Sequence, residues 1–418
     1  MATLSLTKNE PDGNYKWYLV GMLWCVSFFN YADRNTLAAV MPQVKAAFQL
    51  DNVMLGLLSS SFLWVYALMA SPAGWLGDRI GHKRVILTGL VLWSLTTFLT
   101  PFATGFLGFV ILRALTGLGE AGYYPSGTAM IGDHHGSKTR SRALSIHQTA
   151  VFAGGGIGGY IAGLMAEYSD WKMPFYVYGL LGLVLAVVLV FVLKEPQRHL
   201  QVKQSGDQTK QVSVGAVLKT RSALLLCLVF FMGTFVTVGI TTWAPTFFNT
   251  ELKLSLSKAS AYGVVTVAVA GFLAVLCSGF LADWAVRKSA IARFYVLAGG
   301  LFLAGLAVMP FGESRNPVVL GGLLLAAGFF KGIFDGSIYA AMQDVVPPQV
   351  RATAVGLMTT IGFAGAGLAP MVIGYLSDRI GLGHAIAATG SFYVVAAVVL
   401  LASKGQIARD VKMLASQE

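Results

Sequence analysis

Six ionisable residues stand inside stretches of the 418-residue chain that are otherwise apolar: Asp33, Arg34, Arg113, Glu120, Lys331 and Asp335. A charged side chain facing lipid near the middle of a bilayer would cost at least ~2.5 kcal/mol, so all six are expected to face protein or a water-filled cavity. Two kinds of chemistry suit them. A desolvated carboxylate can carry a proton, because burial disfavours its ionised form while a neighbouring arginine favours it, and a change of pairing then switches its state. Arginine keeps its charge and offers a planar donor fork that matches a carboxylate or a phosphate. Asp33 and Glu120 are therefore expected to be a proton-coupling pair, and Arg34 and Arg113 to hold an anionic group of a substrate. The alternative is a static ion-pair network that locks two helices together. Lys331 and Asp335, four residues apart, share one helical face; they either neutralise each other or contact a second anionic group and a hydroxyl or amine.

The elements that position these residues follow from composition. With 56% hydrophobic and 12% charged residues and a mean hydropathy of +0.67, the chain is not a soluble enzyme, a disordered polymer or a secreted disulfide scaffold. It reads as an all-α polytopic membrane protein. At about 20 apolar residues per span, the apolar content fills roughly a dozen helices. The first six are expected at 17–41, 53–76, 85–102, 106–131, 143–166 and 174–193, the second six at 222–248, 260–282, 294–311, 317–346, 352–376 and 385–401. Between the sets lies the one long polar stretch, 194–221, a basic linker. The organisation is thus a tail (1–16), a six-helix bundle (17–193), the linker, a second bundle (222–401) and a second tail (402–418), as expected of two pseudo-symmetric halves. A short echo supports duplication: Arg140-Ser141-Arg142-Ala143 opens the fifth span and Val350-Arg351-Ala352-Thr353 the eleventh.

Basic residues orient the spans. With both termini on one side, 21 of the 30 lysines and arginines fall on that side, 6 on the other (Lys45, Lys172, Lys253, Lys258, Arg315, Arg379) and 3 inside spans. Lysine and arginine concentrate in cytoplasmic loops, so both termini are expected in the cytoplasm. The net charge of +11 is then topology plus attraction to anionic lipid, not a nucleic-acid footprint. The polar N-terminal stretch shows no cleaved signal. The absence of any Asn-x-Ser/Thr acceptor favours a bacterial inner membrane. Cys25, Cys227 and Cys277 are scattered through apolar runs and form no disulfide or metal-ligand pattern, so neither metal nor cofactor is expected. No polar segment is large enough for a catalytic or sensory domain, which argues against a membrane enzyme or receptor.

Depth follows from a rise of ~1.5 Å per residue. Asp33 and Arg34 should lie about two thirds of the way outward on the first span, level with Arg113 in the fourth; Glu120, two turns further on, should lie roughly 10 Å deeper near the midplane. His147 in the fifth span could titrate near neutrality at a cavity, or simply pack with a hydrogen bond.

The loop after the second span reads Gly74-Trp75-Leu76-Gly77-Asp78-Arg79-Ile80-Gly81-His82-Lys83-Arg84, and the fourth span contains Arg113-Ala114-Leu115-Thr116-Gly117-Leu118-Gly119-Glu120-Ala121. Both resemble signature motifs of the major facilitator superfamily. The resemblance implies twelve helices in two six-helix bundles that rock about a central cavity, with Gly74, Asp78, Arg79, Gly81 and Arg84 as a conformational latch, not a binding site. In the second half Gly279-Phe280-Leu281-Ala282-Asp283-Trp284 keeps only part of that loop. The run Gly154-Gly155-Gly156-Ile157-Gly158-Gly159 lacks the Gly-Pro of the antiporter motif, which favours symport or uniport over export.

More narrowly, Asn30-Tyr31-Ala32-Asp33-Arg34-Asn35, Phe62-Leu63-Trp64-Val65-Tyr66, Gly119-Glu120-Ala121 and Trp243-Ala244-Pro245-Thr246 are similar to the anion:cation symporters of sugar acids and hexuronates. That resemblance implies protons, with sodium as the other option, carried at Asp33 and Glu120, and a small organic anion held at or beside Arg34, Tyr66 and Arg113. Tyr339, Tyr31 and Trp243 join His147 as cavity candidates. Lys331 and Asp335 depart from the sugar-acid pattern, which has small uncharged residues there. A spinster-like branch, carrying lysophospholipids or sphingoid lipids, shares the Asp-Arg pair and Gly-x-Gly-Glu-Ala and is the runner-up. A monomer suffices for this fold, because both halves lie in one chain.

Overall fold

The computed structural model describes residues 14–135, 139–195, 214–286, 289, 291–347 and 350–415. Among them all regular structure is helical. The first half contains α1 (Tyr15–Phe48), α2 (Asn52–Ile80), α3 (His82–Leu99), α4 (Phe106–Ala121), α5 (Tyr123–His134), α6 (Arg140–Ala153), α7 (Gly159–Tyr168) and α8 (Met173–Val192). After a short α9 (Val214–Lys219), the second half contains α10 (Arg221–Thr250), α11 (Leu256–Ser260), α12 (Thr266–Val286), α13 (Ala292–Val308), α14 (Pro317–Asp344), α15 (Arg351–Ile380) and α16 (Leu382–Ala402), followed by α17 (Lys404–Ala415). Ten helical stretches among the described residues are long and apolar enough to cross a bilayer. Two further rods complete the order of two six-helix sets: α1, and α4 continued by α5. These two carry Asp33, Arg34, Arg113 and Glu120; the charges lower the apolar content of α1, and the break at Gly122 leaves α4 and α5 at 16 and 12 residues, each short of a full span.

Three element boundaries differ from the sequence expectation, each for a local reason. The first helix does not stop at Met41: it runs through Pro42 to Phe48 and ends on Gln49 in the left-handed region at φ 53°. The fourth span is interrupted at Gly122, where Pro125 has no N–H to donate to the carbonyl four residues back. The C-terminal stretch, expected as a plain tail, forms α17, whose Asp410 accepts a 2.5 Å hydrogen bond from Ser222 Oγ at the start of α10. Most of the linker, residues 196–213, lies outside the described residues.

The glycine run of the fifth span is helical and serves close packing. Gly154–Gly158 form one π-helical turn between α6 and α7. A Cβ at Gly158 would stand 2.7 Å from Ala32 Cα, and one at Gly154 3.0 Å from Phe28 Cα. Small residues here let the backbone of α1 lie directly on this helix, which fixes the rotation of α1 just before Asp33 and Arg34.

The halves meet on the side opposite the termini. Asn52 Nδ2, at the start of α2, donates to Ser377 Oγ at 3.0 Å and Asp378 Oδ1 at 2.7 Å near the end of α15, while Lys45 Nζ donates to Asn52 Oδ1 at 2.7 Å. Nearby, Ser257 N donates to Glu167 Oε2 at 3.1 Å between α11 and α7. Toward the terminal side the halves part: Asp335 and Tyr339 on α14 are 39% and 41% exposed, and Tyr339 lies within electrostatic range of Tyr31 and Tyr66 across the gap. The space between the halves opens toward the side that carries the termini.

Candidate functional site

Consecutive residues on a helix point about 100° apart, and α1 uses that angle to send Asp33 and Arg34 to different partners. Asp33 turns into the first bundle, where Thr97 Oγ1 of α3 donates to its Oδ2 and Arg113 of α4 acts on it electrostatically. Arg34 turns along the gap. Its Nε donates to Glu120 Oε2 at 2.6 Å, and its guanidinium lies 4.3 Å from the Tyr66 ring centroid, 4.7 Å from Tyr31 and 5.4 Å from Phe62. A planar cation stacked on aromatic faces and bonded to one carboxylate is held in a single orientation.

This geometry corrects the expected ladder. α1 extends to Phe48, so Arg34 lies near the middle of its helix, and its bond to Glu120 shows the two to be level rather than roughly 10 Å apart in depth. Glu120 is 0% exposed and Arg34 12%, so the pair is a wall of the gap in which only the arginine is reached from it. Arg113, expected beside Arg34 at the substrate, is 2% exposed and stands 4.9 Å from the Phe62 centroid, so that one ring serves both guanidinium groups. Oδ1 of Asp33, Nε of Arg113 and Oε1 of Glu120 are buried with no hydrogen-bond partner among the described residues. The cluster therefore has unused donor and acceptor capacity on both charge signs.

Across the gap, Lys331 Nζ donates to Asp335 Oδ1 at 2.5 Å and lies 5.0 Å from the Phe334 centroid. The lysine is buried and the aspartate wet. Tyr66 of α2 packs on Phe363 of α15 at 5.0 Å between centroids, an aromatic contact between the two halves. Tyr124 donates to Gln148 Oε1 at 2.7 Å and is an electrostatic neighbour of Tyr66 and Tyr339.

Two cavity candidates lie elsewhere. Trp243 is fully buried and its Nε1 donates to Pro370 O at 2.9 Å, so it fastens α10 to α15. His147 is buried behind Tyr123, whose hydroxyl meets its Nε2 at 2.8 Å.

In the loop motif, Gly81 adopts φ 104°, a conformation that favours glycine, and turns α2 into α3. Glu195 caps the new helix, accepting from His82 N at 2.8 Å and Lys83 N at 2.7 Å. Arg79 stacks 4.0 Å from the Trp75 centroid. Gly74 faces Pro125, with 3.4 Å between a Cβ at this position and Pro125 Cβ. The Asp78 side chain lies outside the described residues. Sequence reasoning overlooked a second copy of this motif, Gly374-Tyr375-Leu376-Ser377-Asp378-Arg379-Ile380-Gly381, on the opposite side. There Gly381 takes φ 83°, Arg379 stacks 4.4 Å from Tyr375, and Asp378 receives Asn52. The shared Asp-Arg-Ile-Gly was the signal that could have found it. Phe62, Thr97 and Phe363 were also missed; only Phe62, four residues before Tyr66, carried a sequence cue.

Two half-bundles thus meet on one side of a charged, aromatic gap. A family profile described as Major Facilitator Superfamily matches residues 23–370. The chain belongs to this superfamily. It is a membrane transporter. The chain is 28% identical over 445 residues to the "Probable galactarate/D-glucarate transporter GudP" of Escherichia coli (strain K12), covering 98% of each. It is 25% identical over 391 residues to the "Hexuronate transporter" of Bacillus subtilis (strain 168), covering 91% of each. With "Protein spinster" of Drosophila melanogaster it shares 32% identity over 288 residues, 66% of this chain but 47% of that protein, so this transporter spans about half of that relative's length. A crystal structure of a bacterial homolog of the human lysosomal transporter spinster, inward-facing and unoccupied, superposes with a TM-score of 0.82 at 20% identity, over 95% of this chain and 98% of that one. That likeness shows the fold.

Proposed function

We propose that this transporter carries a small organic anion, of the sugar-acid or hexuronate class, in symport with protons by rocker-switch alternating access. The observation that carries the reading is the Arg34–Glu120 bond, a fixed cation at the wall of the gap whose carboxylate partner is wholly buried. Protonation of Glu120 removes the charge that engages Arg34 and frees the guanidinium fork for a substrate carboxylate. A monocarboxylate and one proton then load together with no net charge, and a dicarboxylate requires the second proton site for the same balance. Their release toward the open side restores the pair. Asp33 is the second proton site, placed behind the first with Thr97 and Arg113, while Tyr31 and Tyr66 flank the sugar and Lys331, Asp335 and Tyr339 face it from the other half. The names of the GudP and hexuronate relatives support this substrate class, since both match nearly the whole chain. No cofactor takes part, and the protein works as a monomer in a bacterial inner membrane with both termini cytoplasmic.

The test is uptake into proteoliposomes under an inward proton gradient, with radiolabelled galactarate, glucarate, hexuronates, aldonates and a lysophospholipid. Gradient-driven uptake of one organic acid, abolished in Glu120→Gln with counterflow exchange retained, is expected. A spinster-like amphiphile carrier is the second reading, favoured by the 32% identity to the Drosophila protein. It predicts transport of the lysophospholipid alone, and that result would sink the symport reading.

A further inference from the structure

A second cavity, apart from the gap between the halves, lies on the terminal side at the foot of α10. It measures about 650 Å³ and is bounded by Arg221, Leu224 and Leu228 of α10 and by Ser403, Gln406 and Arg409 around the start of α17. At ~1.5 Å per residue, Arg221 stands roughly 20 Å along α10 from the level of its middle, so the transport site and this cavity do not overlap.

The cavity has a charged end and an apolar end. Arg221 and Arg409 come from helices that the chain joins only through the whole second bundle, and both are exposed. Among the described residues neither guanidinium is bonded to a carboxylate; Arg409 donates to Gly405 O at 3.3 Å and to Gln406 Oε1 at 3.0 Å. Asp410, the neighbouring acid among the described residues, is committed to Ser222 Oγ at 2.5 Å and Gln406 Nε2 at 2.9 Å. Below the arginines, Leu224 and Leu228 are exposed on the same face of α10, at i+3 and i+7 from Arg221. That stripe descends from the headgroup level into the hydrocarbon, because α10 is itself a membrane span. α17 is amphipathic, with Ile407 buried against the bundle and Lys404, Arg409 and Lys412 on the polar side, so it lies along the membrane surface.

We propose that this cavity binds one anionic phospholipid of the adjoining leaflet, with its phosphate between Arg221 and Arg409 and an acyl chain along Leu224 and Leu228. Charge complementarity selects an anionic phosphate group, and the apolar stripe that continues from it selects a phosphate attached to a chain. Bound lipid bridges α17 to the start of α10 alongside the Asp410–Ser222 bond. The site is formed entirely by the second half, so it persists when the halves rock.

The test uses the purified full-length protein in neutral detergent, titrated with phosphatidylglycerol, phosphatidylcholine or inorganic phosphate, and reads retained lipid by native mass spectrometry and thermal stability by melting temperature. Phosphatidylglycerol should be retained at one lipid per chain and raise the melting temperature, with phosphatidylcholine and inorganic phosphate far weaker. In Arg221→Gln/Arg409→Gln the phosphatidylglycerol affinity should fall about thirty-fold. Arg409→Glu, an exchange on an exposed face of α17, should by itself abolish the shift while leaving the lipid-free melting temperature unchanged, and Lys412→Gln should behave as the parent protein. Equal retention of phosphatidylglycerol by parent and both arginine variants would overturn the proposal. So would equal stabilisation by inorganic phosphate, which would make this a free-phosphate site.

Discussion

Arg34 and Glu120, 86 residues apart in the chain, are joined by a 2.6 Å bond in the middle of the first bundle, whereas Asp33, the residue next to Arg34, is bonded to Thr97. Two adjacent positions on one helix thus meet different partners within one buried charge cluster, Arg34 being 12% exposed and Asp33 buried.

Replacing Glu120 separates its charge from its shape. Glu120→Gln keeps an acceptor for Arg34, so the protein should fold, exchange substrate by counterflow, and lose both gradient-driven uptake and the pH dependence of transport. Glu120→Ala leaves a largely buried arginine unpaired and should destabilise the protein by about 3–5 kcal/mol. Melting curves beside the two transport assays check both outcomes.

Arg34→Lys preserves charge but not the planar fork that stacks on Tyr31 and Tyr66. A rise in KM for the organic anion of about tenfold or more is expected, with folded yield unchanged. An unaltered KM would mean that Arg34 is only a strut for Glu120.

Thr97→Val removes the donor to Asp33 and leaves a buried carboxylate oxygen without a partner. A loss of about 1–3 kcal/mol is expected, restored by Thr97→Ser. The measurement is thermal unfolding of the two variants in the same detergent.

The contact face opposite the termini is packed backbone to backbone at Gly56, where a Cβ would stand 2.7 Å from Met371 Cα on α15. Gly56→Leu should wedge this face apart and shift the population toward the state open on that side; Asn52→Leu, which removes the bonds to Ser377 and Asp378, should shift it in the same direction by less. Labelling of a cysteine placed in the gap, with a reagent applied from that side, should rise in both.

Lys331→Met tests the second cation. Uptake of dicarboxylates should lose affinity about tenfold while that of monocarboxylates is preserved, because only the longer anion reaches across the gap. An equal loss for both classes would make the Lys331–Asp335 pair a packing element.

Much of the architecture was legible in the sequence because bilayer physics leaves few choices: long apolar runs must be helices, lysine and arginine sort the loops, and charges inside the runs must face inward. The six intramembrane charges were therefore visible at once, as was the Lys331–Asp335 pair, which needs only helical spacing. The depth of the first pair was not. The first span, expected to end at Met41, runs on to Phe48, and only the Arg34–Glu120 bond shows that those two residues share a level. Trp243 and His147 carry polar atoms that suit a cavity equally well, and only the tertiary structure shows that these atoms meet Pro370 and Tyr123. By itself the sequence determined which residues could not face lipid. Which partner each one meets was decided by the rotation of α1 against the glycine run at 154–158, because a turn of 100° between neighbours separates a carboxylate sealed in the bundle from an arginine at the wall of the gap.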